Sequence, residues 1–299
     1  MGGRLMVRLT TQCNSGCAHC TIADIAHLPE RSVESVWREI EAGRARGCDE
    51  LVIMRGEATL RKELTKLVRK SRQIGYQHVQ LQTNGRMLSY PQYVDKLVGA
   101  GVTFFELSYF GHEAGLHDAI DGTEGAFEQA NAGLKNLVAS GCGLLVTVPV
   151  VRMNLLSLVD IVRHLHEEGV GRVQFNFSRP VMIGKGWNTF PLVRLSEASP
   201  HIRAGLREAR RLGLVGSTEA VPFCHLDPED RDGFDATEDF SRHQVVDVHR
   251  VEADLTSHRE HMRPRAASCE SCTAQDACPR TWADYQRIYG TWELTALAN

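Results

Sequence analysis

The chain lacks an apolar run long enough to cross a membrane. The longest extends only from Gly143 to Val151, whereas a spanning helix takes about 20 residues. It also lacks a basic N-terminal region followed by an apolar stretch and a cleavage site, so no secretory signal is visible. Positive charge is not in excess. Lys and Arg total 34 against 37 Asp and Glu, a formal net charge of −3. That argues against nucleic acid or an anionic membrane as the main partner, since both are approached through a basic field. In a chain with no export signal, nine cysteines read as metal or cluster ligands rather than disulfides, and the cytoplasm is the expected location. The remainder is ordinary for a globular protein. At 299 residues and 42% hydrophobic, the chain can bury a sizeable core as one large α/β domain or a barrel with an appendage.

Cysteine is unevenly placed. Cys13, Cys17 and Cys20 are spaced C-x3-C-x2-C, directly after the apolar run Leu5-Met6-Val7-Arg8-Leu9. A cubane iron–sulfur cluster normally takes four thiolates, so this trio would leave one iron open for a non-protein ligand. A closed zinc site would need a fourth ligand, and His19 is the only local candidate.

Apolar runs that predict strands recur at Leu5–Leu9, Leu51–Met54, His78–Gln82, Thr103–Tyr109, Leu144–Val150 and Arg172–Phe177. Helical patterns follow them at Val33–Arg46, Leu60–Ile74, Tyr90–Val98, Ala126–Ala139, Leu155–Glu167 and Glu197–Arg211. Gly47, Gly75, Gly141, Gly169 and Gly213 predict left-handed helix ends. Strand–helix alternation implies parallel pairing with right-handed crossovers. Six units are too few to close an eight-stranded barrel. The expected fold is therefore α/β, a partial (β/α)6 TIM-like barrel, whose chemistry lies on the loops after the C-terminal ends of the strands. From Gly213 the rhythm is expected to stop, which places a barrel core at 1–212 and a smaller C-terminal domain at 213–299. Cys48 and Cys142 precede the second and fifth strands, at the opposite end of the barrel, and read as small buried hydrophobes.

The cysteine spacing and this layout resemble the radical S-adenosylmethionine (radical SAM) superfamily. The resemblance implies a [4Fe–4S] cluster on Cys13, Cys17 and Cys20 whose open iron binds the amino and carboxylate groups of SAM. One-electron cleavage then gives a 5′-deoxyadenosyl radical that abstracts a substrate hydrogen. A reducing protein such as flavodoxin or ferredoxin is implied as electron source. After the second strand, Met54-Arg55-Gly56-Glu57-Ala58 keeps part of the superfamily's Gly-Gly-Glu-Pro, with Arg55 and Ala58 as departures. Gly56 and Glu57 are implied to bind the SAM amino group. Thr83-Asn84-Gly85 resembles a turn of the same families, which makes Asn84 a cofactor-binding candidate. Ser108 stands where relatives touch the SAM ribose or carboxylate, and Val148 where they touch adenine. Many relatives carry an arginine near the position of Asp121 to pair with the SAM carboxylate. The loop from Tyr109 to Gly125 has none.

A second set of thiols lies beyond the barrel: Cys224, then Cys269, Cys272 and Cys278. Four thiols complete either a zinc site or a [4Fe–4S] cluster. A short C-terminal extension with one auxiliary cluster, a twitch domain, is common in radical SAM enzymes. The ending Cys278-Pro279-Arg280 to Gly290 resembles one, with Arg280 where a glycine is usual.

In such enzymes the fate of the substrate radical decides the reaction. A dehydrogenase loses a proton and passes an electron to the auxiliary cluster, whereas an epimerase needs a free cysteine at the top of the barrel. With seven cysteines assigned to clusters and two at the bottom, the arithmetic favours oxidation, unless Cys224 is free and the second cluster takes three ligands from this chain. Arg152, Arg179 and Lys185 are candidates for orienting or deprotonating a substrate hydroxyl. Many peptide maturases carry a leader-binding domain before the cluster motif, but here only twelve residues precede Cys13. The expected substrate is therefore a small polar metabolite, and the expected reaction is oxidation of a secondary alcohol on an aminocyclitol or sugar, as in antibiotic-pathway dehydrogenases. The competing readings are a sugar epimerase, a peptide-modifying maturase and a non-catalytic zinc-binding module.

Overall fold

Alternation of apolar and polar side chains along successive short segments builds a parallel sheet in the computed structural model, which describes residues 3–23, 25–183, 185–232, 243–246, 251–252 and 260–298. The strands are β1 (Gly3–Arg8), β2 (Cys48–Met54), β3 (His78–Thr83), β4 (Phe104–Ser108), β5 (Gly143–Val150) and β6 (Arg172–Phe177). Leu5, Leu51, Val79, Phe105, Val146 and Val173 mark the face turned to the helices, and each is fully or almost fully buried. Burying each such side chain contributes about 1.5–3 kcal/mol. The intervening residues form the inner face, where a polar cluster sits among apolar residues such as Val52 and Leu145. There Arg4 Nε donates to Glu50 Oε2 at 2.8 Å, and Gln80 and Gln82 donate to Glu106.

Helices α1 (Val33–Ala45), α2 (Leu64–Gln73), α3 (Pro91–Ala100), α4 (Ala114–Asp121), α5 (Ala126–Ser140), α6 (Leu158–Glu167) and α7 (Leu195–Leu212) cover the outside. Gly47, Gly75, Gly141, Gly169 and Gly213 all have positive φ, as the helix-end pattern predicts. Cys48 begins β2 fully buried, and Cys142 precedes β5, so both lie at the end remote from the loops described below. Among the described residues no helix is long and apolar enough to cross a membrane.

The sheet is larger than the sequence pattern indicates. After a small hairpin, β7 (Val181–Ile183) and β8 (Gly186–Asn188), and after α7, strand β9 (Val215–Glu219) pairs parallel to β6. The rhythm therefore runs past Gly213. Val215-Gly216-Ser217-Thr218-Glu219 carries a single large apolar residue, so its composition conceals a strand that sheet pairing provides. At the other edge β10 (His243–Val246) pairs parallel to β1 and β11 (Val251–Glu252) pairs antiparallel to β10, giving the order β11-β10-β1-β2-β3-β4-β5-β6-β9. The α/β partial-barrel expectation holds, with a seventh core strand added. The polar acidic stretch from Asp227 to Asp239, which reads in sequence as a long loop, lies outside the described residues from 233 onward.

The C-terminal segment docks on the β6, β9 and α7 side. Trp282 Nε1 donates to Phe177 O at 2.6 Å, Arg179 donates to Asp284 at 3.1 Å, and Arg263 pairs with Glu219 at 2.8 Å. Tyr285 and Leu294 join the same continuous core as the barrel residues.

Candidate active site

The segment between β1 and α1 carries Cys13, Cys17 and Cys20, and neighbouring loops grip it from several sides. From the β2 loop, Glu57 N donates to Gln12 O at 2.7 Å. Gly56, at φ +60°, packs so closely that an added Cβ would stand 2.4 Å from Thr10 O. From the β3 loop, Asn84 Nδ2 donates to Asn14 Oδ1 at 2.8 Å and to Ser15 Oγ at 2.9 Å, and lies 3.9 Å from Cys13 Sγ. Arg86 donates to Asn14 O. From the end of α4, Asp121 O accepts from Gly16 N at 2.9 Å, and from the hairpin Asn188 Nδ2 donates to Ala18 O at 2.7 Å.

Cys13 is exposed, whereas Cys17 and Cys20 are half-buried. Burial pushes the Cys17 thiol up, and the Asp121 carboxylate and the neighbouring thiols add to the rise. Beside Cys17 stands a small apolar wall of Phe110, Ile120 and Val151. His19 sets its ring edge against Phe110 at 5.1 Å, and its Nδ1 is shut off from solvent without a hydrogen-bond partner. Burial lowers its pKa to about 4.

Among the described residues, no three His, Cys, Asp or Glu side chains converge tightly enough to hold a single metal ion. Three thiols on one loop would supply three of the four ligands of a cubane cluster and leave one iron without a protein ligand.

Glu57 is enclosed by the loops around it. Its carboxylate is 1% exposed. It accepts from Thr59 N at 3.1 Å, Thr83 Oγ1 at 2.9 Å, Asn84 N at 2.8 Å, and the Thr59 hydroxyl. Burial pushes it up and these donors pull it back. Its side chain ties the β2 and β3 loops together.

Val148 lies on the helix-facing side of β5, fully buried in the main core, so its side chain is turned away from the inner face. Val151, beside Cys17, is the valine at the rim. Ser108 ends β4 on the inner face, half-buried. Arg152 is exposed and donates to Leu192 O at 3.0 Å. Arg179 is engaged with Asp284, and Lys185 is exposed beside the hairpin turn. These contacts make Arg152 and Arg179 struts of the surrounding loops.

The structure adds residues that the sequence pattern did not single out. Arg86, in the turn after β3, comes within 3.8 Å of the Asp121 carboxylate. Glu106, on the inner face of β4, accepts from Gln80 Nε2 at 2.7 Å and Gln82 Nε2 at 2.9 Å on the same oxygen. Burial, with the nearby Glu219 charge, raises its pKa to about 7. A Gln-x-Gln run beside a glutamate in adjacent apolar strands was the available signal.

The second set converges as well. Cys224, Cys269, Cys272 and Cys278 line one pocket with Phe223, Leu294 and others. Phe223 N donates to Cys278 Sγ and Leu297 N to Cys272 Sγ, each at 3.4 Å. Thr281 Oγ1 is buried at the pocket without a partner. Four thiols in one pocket, two of them receiving backbone N–H bonds, are a ligand set suited to a metal or an iron–sulfur cluster.

Residues 7–165 match the radical SAM superfamily as a family. An AdoMet-dependent heme synthase of Methanosarcina barkeri is 29% identical over 180 residues, 60% of this chain and 50% of that protein. A probable GTP 3',8-cyclase of Sulfurisphaera tokodaii is 27% identical over 188 residues, 62% of this chain and 58% of that protein. The chain spans about half the length of these curated relatives. Among solved structures, SuiB of Streptococcus suis bound to S-adenosylmethionine aligns with 99% of this chain and 76% of its own, with a TM-score of 0.69 and 14% identity. That likeness is one of fold.

Proposed function

The chain belongs to the radical SAM superfamily, and from that premise we propose that it oxidises a small polar substrate by two electrons, with a second iron–sulfur cluster as electron acceptor. As a member it uses a [4Fe–4S] cluster and S-adenosylmethionine, and family membership sets aside the zinc-module reading. The observation that carries the proposal is the meeting of Cys224, Cys269, Cys272 and Cys278 in one pocket. The reading keeps a two-part chain, with the junction moved beyond β9.

Cys13, Cys17 and Cys20 would hold the first cluster. When bound, that cluster and SAM supply a carbon radical able to take one hydrogen atom from a substrate carbon. The residues of the chain account for the rest. The polar cluster of the inner face, with Gln80, Gln82 and Glu106, receives a hydroxyl- or amine-bearing substrate. The carbon-centred substrate radical still has to lose one proton and one electron to become a ketone. The Glu106 carboxyl, with a pKa near 7, suits the proton. The four-cysteine pocket, docked at the top of β6 and β9, suits the electron. An alcohol on an aminocyclitol or sugar remains the proposed substrate. The named relatives make a tetrapyrrole the second reading, since one of them is a heme synthase.

The test is iron and sulfide per chain after anaerobic reconstitution, followed by product mass. About eight irons in the wild type and about four in Cys269→Ala/Cys272→Ala are expected, four per cluster. A product lighter by two hydrogens completes the case. About four irons in both proteins removes the acceptor, and incorporation of solvent deuterium at unchanged composition would make the enzyme an epimerase.

A further inference from the structure

The geometry points to Asn84 as a positioning residue: the positive NH2 end of its side-chain amide, bonded to Asn14 and Ser15, faces the Cys13 sulfur and so sets how readily the first cluster is reduced. This rests on the cluster assignment for Cys13, Cys17 and Cys20. It differs from the role that the family resemblance implies for Asn84, which is direct contact with the cofactor.

Asn84 is 8% exposed and held at both ends. Its backbone N–H donates to Glu57 Oε2 at 2.8 Å. Its Oδ1 accepts from Arg86 N at 3.1 Å. That second bond fixes which way the amide points, because the reverse orientation would oppose two donors. The NH2 group therefore faces the cysteine loop. There it meets Asn14 Oδ1 at 2.8 Å, Ser15 Oγ at 2.9 Å and Cys13 Sγ at 3.9 Å. The chain from Thr59 and Thr83 through Glu57 to Asn84 makes this orientation rigid.

A positive amide end facing a cluster thiolate favours the reduced, more negative state, and polar groups around the sulfurs are among the levers that set cluster potentials. Partners in the outer shell also hold the ligand loop in shape. Removing the amide should make the first cluster harder to reduce.

Asn84→Ala and Asn84→Asp, made in the full chain and reconstituted anaerobically, test this. An EPR-monitored redox titration without SAM would follow the signal that changes shape when SAM is added. The expected result is a reduction equilibrium about tenfold less favourable in both variants, which for one electron is about 59 mV, with SAM affinity unchanged. An Asn84→Ala titration that superimposes on the wild type overturns the inference, and weakened SAM binding beside it returns Asn84 to the cofactor ligands. A shift in Asn84→Asp alone also overturns it, since added charge then explains the effect. Where Asn84→Ala retains no iron at the first site, Asn84→Ser keeps a donor and decides. Recovery of iron and potential supports the inference, and failure of both overturns it. Absence of any SAM-responsive signal in the wild type defeats the cluster assignment itself.

Discussion

Glu57 shows how a residue's neighbours can give it a structural role. Read in sequence, it completes part of a SAM-binding motif. In the fold its two oxygens serve Thr59, Thr83 and Asn84, and the side chain is wholly enclosed. Glu57→Ala would leave at least two buried N–H groups without acceptors, and each costs about 1–3 kcal/mol. The variant is therefore expected to lose about 3 kcal/mol of stability by denaturant titration. A group whose work was confined to the cofactor would leave unfolding of the empty protein unchanged. The thiols were legible because spacing alone identifies them, whereas the role of Val148 depended on which face of β5 it occupies. The two arginines that depart from family glycines, Arg55 and Arg280, both have positive φ, at +62° and +60°. The sequence marked these departures, and the backbone shows why glycine is usual there.

At the scale of elements, β1 to β6 and most helices followed from periodicity, because each strand buries apolar residues against helices that do the same. What escaped was built from weak segments. Helix α4 lies in what reads as a loop, β9 is nearly devoid of large apolar residues, and the β7–β8 hairpin is only a few residues long. Tertiary contacts define these elements more than propensity does. Yet α4 matters to the site, since its end meets the cysteine loop. Gly122, at φ +77°, lies so close that an added Cβ would stand 2.6 Å from Gly16 O. Gly122→Ala should push the two backbones apart and strain a left-handed residue. Reconstituted protein is expected to fall from about eight irons to about four, with the first site emptied. Spectra of the remaining cluster, unresponsive to SAM, would identify the survivor as the second.

The inner face gives the whole molecule a pH signature. Gln80, Gln82, Arg4 and Glu219 surround or act on Glu106, and burial lifts its pKa from the ordinary 4.5 to about 7. A carboxyl raised on folding costs nothing while protonated in both states. It withdraws stability as pH rises from the unfolded value through the folded one, and the loss is complete above it. Glu106→Gln lacks that loss. Relative to the wild type, the variant should gain stability between pH 5 and pH 8, and the two should converge at pH 4. Urea titrations at the three pH values check the sign. Equal stability throughout would place Glu106 in a solvated setting.

The two thiol sets also differ in when they can exist. The partners of the first set, from Gln12 to Asn188, are complete once the hairpin has formed. The second set has no closed pocket until Leu297 N reaches Cys272 Sγ. At 5–20 residues per second of synthesis, the remaining stretch takes on the order of ten seconds to emerge. The nascent chain thus completes the surroundings of its first thiol set well before those of its second, so the order of residues sets the order in which the two sites close.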